Sequence, residues 1–196
     1  FMLKFNQLIN DKLNFSPLST IFLFTFLPIS LILGNAAINL NILLIDILFI
    51  FYCFKIKNWS WLKSRTFVLL SVIYVFLITN SFYSYYFLIK NEIDGLKRSL
   101  LFIKFILLVF AFSKLLNDEH ILNTVKKNWL IISLIVIFDI FYEKYFGKNL
   151  LGYVSPNGTR IISFFKDEMV VGGFILCFGF TSITYFLNKN FDKKTT

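Results

Sequence analysis

Residues 17–34 read PLSTIFLFTFLPISLILG and residues 36–54 read AAINLNILLIDILFIFYCF. Asp46 is the single charged residue in the pair. Each run is close to the roughly 20 apolar residues that cross a hydrocarbon core as a helix. They meet at Gly34-Asn35, which leaves room only for a tight hairpin. Two apolar helices returning directly on each other set the class as all-α, a polytopic transmembrane helical bundle. Four more runs follow at about 66–84, 99–117, 129–146 and 169–187, so six spans are expected.

Composition agrees. The 196 residues are 57% hydrophobic and 16% charged, with mean hydropathy +0.72, against about 25% charged residues in a soluble domain. A signal peptide is the rival reading of residues 1–37, where Lys4 and Lys12 precede an apolar stretch. That stretch is long for a signal, and a second span follows at once. The chain opens Phe1-Met2 and closes in a polar tail, and it reads as a piece of a longer protein, one transmembrane domain truncated at its C-terminus.

The net charge of +9 would suggest nucleic acid in a soluble protein. Here the cations lie in short loops between spans, and no basic, aromatic stripe marks a polar surface, so nucleic acid is set aside. Lys and Arg concentrate in the segments that share a side with the N-terminus, including Lys55, Lys57, Lys63, Arg65, Lys126 and Lys127. The positive-inside rule then puts both termini in the cytoplasm. Cys53 and Cys177 each fall inside an apolar run and read as inert buried thiols. No cysteine pair or His/Cys cluster suggests a disulfide or a metal, and no cofactor is expected. His120, the one histidine, falls in the inner segment 114–128, which reads as a short interfacial helix.

Charges inside spans are costly and face the bundle or a cavity. Asp46 lies near the middle of the second span, Lys104 within the fourth and Asp139 in the outer half of the fifth. Asp46 and Lys104 can pair to hold helices together, and Asn39 and Asn41 can serve as interhelical hydrogen-bond glue. Lys97 and Lys104 are seven residues apart and share one helix face; Arg98 sits beside Lys97 at the outer mouth. For Lys97 and Arg98 alone, snorkelling to the interface is the better account; Lys104 lies deeper.

The outer loop, about 147–167, adds Lys148 and Arg160. An arginine stays charged and grips two phosphate oxygens in a fork. Asp167-Glu168 then open the last span, where acids favour the helix dipole; Asp167 can also orient Arg160. Gly172-Gly173 permit close helix approach. Cations just outside the bilayer suit an anionic ligand at the headgroup level. Arg160, Lys104, Lys97, Arg98 and Lys148 are therefore the candidate anion-binding residues, with Asp139, Asp167 and Glu168 supporting them.

Residues 139–175 resemble the O-antigen ligase and O-antigen polymerase superfamily of bacterial inner-membrane proteins. Those proteins carry Asp-x-x-Tyr-Gln at a span end, then Gly-Lys-Asn/Asp with two hydrophobics and Gly-Tyr, then Arg-x-x-Gly-x-Phe-x-Asp-Glu. Asp139, Tyr142, Gly147-Lys148-Asn149, Gly152-Tyr153, Arg160, Phe165 and Asp167-Glu168 match. Pro28 in the first span and Gly34 at the hairpin are also similar. This chain departs at Glu143, where Gln is common, at Ser163, where Gly is usual, and at Lys166; Ser163 is expected to stiffen the turn.

The resemblance implies the N-terminal half of a metal-independent glycosyltransferase of the GT-C type. The donor it implies is a glycan on undecaprenyl diphosphate. The ligase passes that glycan to lipid A core in lipopolysaccharide biosynthesis, and the polymerase passes it to a second lipid-linked glycan. Arg160 matches a family arginine that binds the donor diphosphate. The acceptor-activating histidine of the family lies further along its longer chain, so no catalytic base is assigned here and this piece alone is expected to be inactive. A different class, a transporter or flippase component for an anionic lipid-linked substrate, would use the same cations without chemistry. A structural membrane subunit would use them only as interfacial anchors.

Overall fold

The computed structural model describes residues 17–88, 93–155, 161–165, 170–184 and 187. Among these every regular element is helical. Contacts group the chain into two compact units, the first running through Asn41 and again from Asp118, the second Ile42–Asn117.

In the first unit, α1 spans Pro17–Leu33. Pro28 lies inside the same helix. It cannot donate to the carbonyl of Phe24, four residues earlier. The long helix α6 (Glu119–Phe146) supplies the replacement: Trp129 Nε1 donates to that carbonyl at 2.8 Å. A neighbouring helix thus satisfies the backbone group that the proline leaves open, which is how such prolines are tolerated in apolar helices. Asn128 Nδ2 adds a second link, to Thr25 Oγ1 at 3.0 Å.

Gly34 joins α1 to α2 (Asn35–Ile56) with φ +105°. Asn41 on α2 reaches back to the Leu23 carbonyl at 3.2 Å and to Ser30 Oγ at 3.4 Å, as expected of interhelical glue. Gly34→Ala is expected to cost about 1–3 kcal/mol through backbone strain, because no atom lies within 4 Å of the added Cβ. Thermal denaturation of the detergent-solubilised chain measures it; an unchanged midpoint would show that the hairpin tolerates a side chain there.

α6 buries one stripe: Val125, Trp129, Ser133, Val136, Asp139 and Glu143. Steps of three and four residues hold these on a single face. Phe24 and Leu27 of α1 are buried in the same unit. The aromatic series Trp129, Phe178, Phe174, Phe165 continues the core, with successive ring centroids 5.0–5.2 Å apart. Phe174 and Phe178 belong to α7 (Val171–Thr184), whose Ile175–Gly179 stretch has π geometry.

In the second unit, α2 ends at Ile56 with Lys57 in the left-handed region, φ 54°. Lys57 N donates to Phe54 O and Asn58 N to Cys53 O, each at 3.3 Å. These are the two bonds of a Schellman C-cap. Asn58 Oδ1 then accepts from Ser60 N at 3.1 Å, a 3-10 turn spans Ser60–Lys63, and Ser64 caps α3 (Arg65–Tyr83) by accepting from Phe67 N. Trp61 fills the centre of this unit, 5.4 Å from Phe49, 5.4 Å from Phe67 and 5.0 Å from Phe110. No residue of α3 is buried. A helix this apolar and this open suits hydrocarbon on its outer faces.

Among the described residues three helices are long and apolar enough to cross a membrane: Asn35–Ile56, Arg65–Tyr86 and Glu119–Phe146. Pro17–Leu33 and Val171–Thr184 are apolar but shorter. The run expected as one span at 99–117 is divided between α4 (Ile93–Leu101) and α5 (Ile103–Leu115), with Phe102 between them. There Phe102 N bonds Ser99 O and Phe105 N bonds Phe102 O, tighter three-residue steps in place of the α ladder. Tyr74 OH of α3 donates to the Leu100 carbonyl beside the break at 3.1 Å. The segment 114–128 differs as well. Asp118 caps α6 by accepting from His120 N at 2.8 Å, and helix runs unbroken from Glu119, so His120 lies in the first turn of the long helix. At 1.5 Å per residue α6 is about 42 Å long, more than the hydrocarbon core requires.

Candidate functional site

The polar end of the α6 stripe is where the chain departs from a plain apolar bundle. Asp139 and Glu143 are four residues apart, so both carboxyls emerge from one face. Asp139 is 0% exposed and Glu143 5%. Buried carboxylates are acceptors only, and each needs donors brought to it. The following loop brings them.

Gly147 ends α6 in the left-handed conformation, φ 71°, its N–H donating to the Glu143 carbonyl at 2.8 Å. Lys148 points outward and is exposed, while Asn149 turns in and is 1% exposed. Asn149 organises the turn that follows. Its Oδ1 accepts from Leu151 N at 3.1 Å and Tyr153 N at 2.8 Å. Its backbone carbonyl accepts from Gly152 N at 2.9 Å, and Gly152 has φ 84°. This closed turn delivers Leu150 N to Asp139 Oδ1 at 2.7 Å.

A second strand of chain, 161–165, docks on the same two acids. Glu143 accepts Ile162 N at 3.1 and 3.2 Å through its two oxygens and Ser163 N at 2.6 Å through Oε2. Ser163 Oγ donates to Asp139 Oδ2 at 2.6 Å. Asn149 Nδ2 donates to the Ser163 carbonyl, tying the two segments to each other. Ser163 has φ 48°, a left-handed conformation that costs a non-glycine residue about 1–2 kcal/mol. Its hydroxyl bond to a buried carboxylate offsets that strain. The 3-10 turn Ser163–Phe165 then seats Phe165 on Phe174 at 5.2 Å.

The candidate residues from the sequence divide between the two units. Asp139 and Lys148 belong to the first, with Asp139 at its buried centre and Lys148 on the exposed loop. Arg160, Asp167 and Glu168 lie outside the described residues. Lys97, Arg98 and Lys104 belong to the second unit. Lys97 is exposed and pairs with Asp94, one helical turn away, at 3.8 Å; such pairs are worth little. Arg98 is exposed on the same helix. Lys104 is half-buried on α5, its Nζ 5.1 Å from the Phe105 ring centroid. Phe102 interrupts the α ladder between Lys97 on α4 and Lys104 on α5. Asp46 is buried in the second unit, and among the described residues its Oδ1 has no hydrogen-bond partner.

Three residues prove central that the sequence did not single out as a site: Glu143, Asn149 and Ser163. Glu143 stands one turn after Asp139, and that spacing was the available signal. Asn149 between two glycines signals a turn, but its inward direction depends on the fold. Among the described residues no group of three His, Cys, Asp or Glu side chains is placed to hold a metal. Comparison with known protein families, characterised proteins and solved structures finds no match.

Proposed function

We propose that this chain is the donor-binding part of an O-antigen ligase-like membrane glycosyltransferase. It would transfer a glycan from undecaprenyl diphosphate to lipid A core, and a polymerase using a second lipid-linked glycan as acceptor would share the same donor site. In this reading the six apolar runs are six spans of a GT-C-like half, both termini are cytoplasmic, and the loop after α6 is on the periplasmic face of a bacterial inner membrane.

The observation that supports it is the double anchoring of the segment after Arg160. Ile162 and Ser163 are held by Glu143 and Asp139, and Asn149 ties them to the loop that carries Lys148. Five of the eleven residues behind the family resemblance, Asp139, Gly147, Asn149, Gly152 and Tyr153, help build the anchor, together with Glu143 and Ser163, where the chain departs from the family pattern. Electrostatic catalysis favours groups held in place before charge develops, and Ile162 and Ser163, which follow Arg160 in the sequence, are held by two buried acids. Arg160 would grip the diphosphate in a fork and stabilise the negative charge on undecaprenyl diphosphate as the glycosidic bond breaks, with Lys148 adding to the field. The base that activates the acceptor belongs to the rest of the enzyme.

Arg160→Ala in the full-length protein is expected to lower surface glycan transfer on the order of 10²–10³-fold. Arg160→Lys should also fail, since an ammonium cannot reproduce the fork. Membrane insertion should be unaffected in both. Normal transfer by both variants would remove the reading.

A further inference from the structure

The end of the second unit where α2 gives way to α3 has a different chemistry, and we infer that it binds one anionic phospholipid, headgroup and acyl chain together. The inference does not depend on the glycosyltransferase reading.

The cations come first. Lys55, Lys57, Lys63 and Arg65 are all exposed. No Asp or Glu occurs between Asp46 and Glu92, so the segment carries its charge without an acid of its own. Lys114 adds a fifth cation in the last turn of α5. It lies one turn beyond Phe110, whose ring packs at a tilt against Trp61 with centroids 5.0 Å apart, so it stands at the same end of the unit.

Basic residues at a membrane surface are ordinary topology signals. The backbone sets this group apart. Lys57 occupies the left-handed C-cap position, φ 54°, which glycine usually takes. Glycine would close the same two hydrogen bonds without strain, and what the lysine adds is a cation rooted at a fixed backbone position. Strained non-glycine residues of this kind gather at functional sites. The loop around it is rigid, with the Asn58 turn, the 3-10 turn and the Ser64 cap following without a gap. Trp59, 37% exposed, sits edge-on to Phe54 at 5.0 Å. An indole in that position suits the boundary between headgroups and hydrocarbon.

The second half of the ligand has its place beside the first. An open apolar groove of about 380 Å³ is lined by Leu62, Phe67, Val68, Ser71, Val72 and Val75. It begins among the cations, since Leu62 precedes Lys63 and Phe67 follows Arg65. A phosphate on the cations leaves an acyl chain directed along this groove. A free anion would use only the charges and a neutral lipid only the groove, so an anionic phospholipid uses both.

The test places the full chain in nanodiscs of mixed phosphatidylcholine and phosphatidylglycerol, extracts it in mild detergent and counts retained lipids by native mass spectrometry. Wild type should retain phosphatidylglycerol over phosphatidylcholine. Lys57→Gly should lower that preference about fivefold, the contribution of one cation at a membrane surface, while raising thermal stability by relieving the strained backbone. Val72→Trp should lower retention by filling the groove with no change of charge. Equal retention of the two lipids would overturn the proposal. So would an unchanged preference in Lys57→Gly, which would leave the lysine as a partner of the helix dipole alone. Displacement of the lipid by soluble glycerol phosphate at equal concentration would assign the site to free anions instead.

Discussion

Asp139→Ala combined with Glu143→Ala is expected to release residues 147–165 from α6 while the helix itself persists. The double variant removes the acceptors of Leu150 N, Ile162 N, Ser163 N and Ser163 Oγ together. A buried donor left unpaired costs roughly 1–3 kcal/mol. Because the segment can open to water, the loss is taken as local opening rather than global unfolding. With about 4 kcal/mol removed, amide exchange at Leu150, Ile162 and Ser163 should accelerate on the order of 10³-fold. Exchange at Val125 and Trp129 should change little, since their burial does not depend on the acids. Asp139→Asn should fall between, because its amide keeps one acceptor and sets an NH₂ against a donor. Unchanged protection at Ile162 and Ser163 in the double variant would mean that something other than α6 holds this segment. Under the proposed function the double variant should also lose glycan transfer with Arg160 still present.

Trp129→Phe is expected to destabilise the first unit by about 1–2 kcal/mol. The variant keeps a ring against Phe178, removes the N–H that serves the Phe24 carbonyl and leaves a small void where the larger indole was buried. That carbonyl needs an outside donor because Pro28 cannot supply one. In a Pro28→Ala background the backbone N–H restored at that position can donate to Phe24, and the same Trp129 substitution should cost less by the hydrogen-bond part, with the packing loss remaining in both backgrounds. The difference between the two costs, taken from denaturation midpoints in detergent, is the coupling energy of the pair. Equal costs in both backgrounds would show that the indole N–H does not answer the proline.

Of the candidate site, only part was readable along the chain. Asp139, Lys148 and Arg160 stand out because a charge at a span boundary is conspicuous against apolar sequence. Glu143 is equally close to its partners but reads as an ordinary acid at a helix end, and the reason to bury it lies 19 and 20 residues further on, in two backbone N–H groups. Ser163 reads as a departure that stiffens a turn. In the fold it holds a left-handed position and returns its hydroxyl to Asp139. The break at Phe102 has no local signal, since Leu101, Phe102 and Ile103 all suit a helix. In the segment before 129 a helix was expected, but its polar residues obscured that it runs on from its cap, Asp118, into the span.

What the sequence determined by itself is the class. Apolar runs of this length have few ways to satisfy their backbone other than as helices, and Gly34 between two of them compels a close return. That inference needs only local chemistry, because a helix closes its own hydrogen bonds. The tertiary structure alone decided which polar groups would be buried and by what. Trp129 meets the carbonyl opened by Pro28, and Asp139 with Glu143 meet donors of a loop that follows. The physical reason is the same in both cases: a buried polar group must find its partner in space, and the sequence distance between them carries no record of that choice.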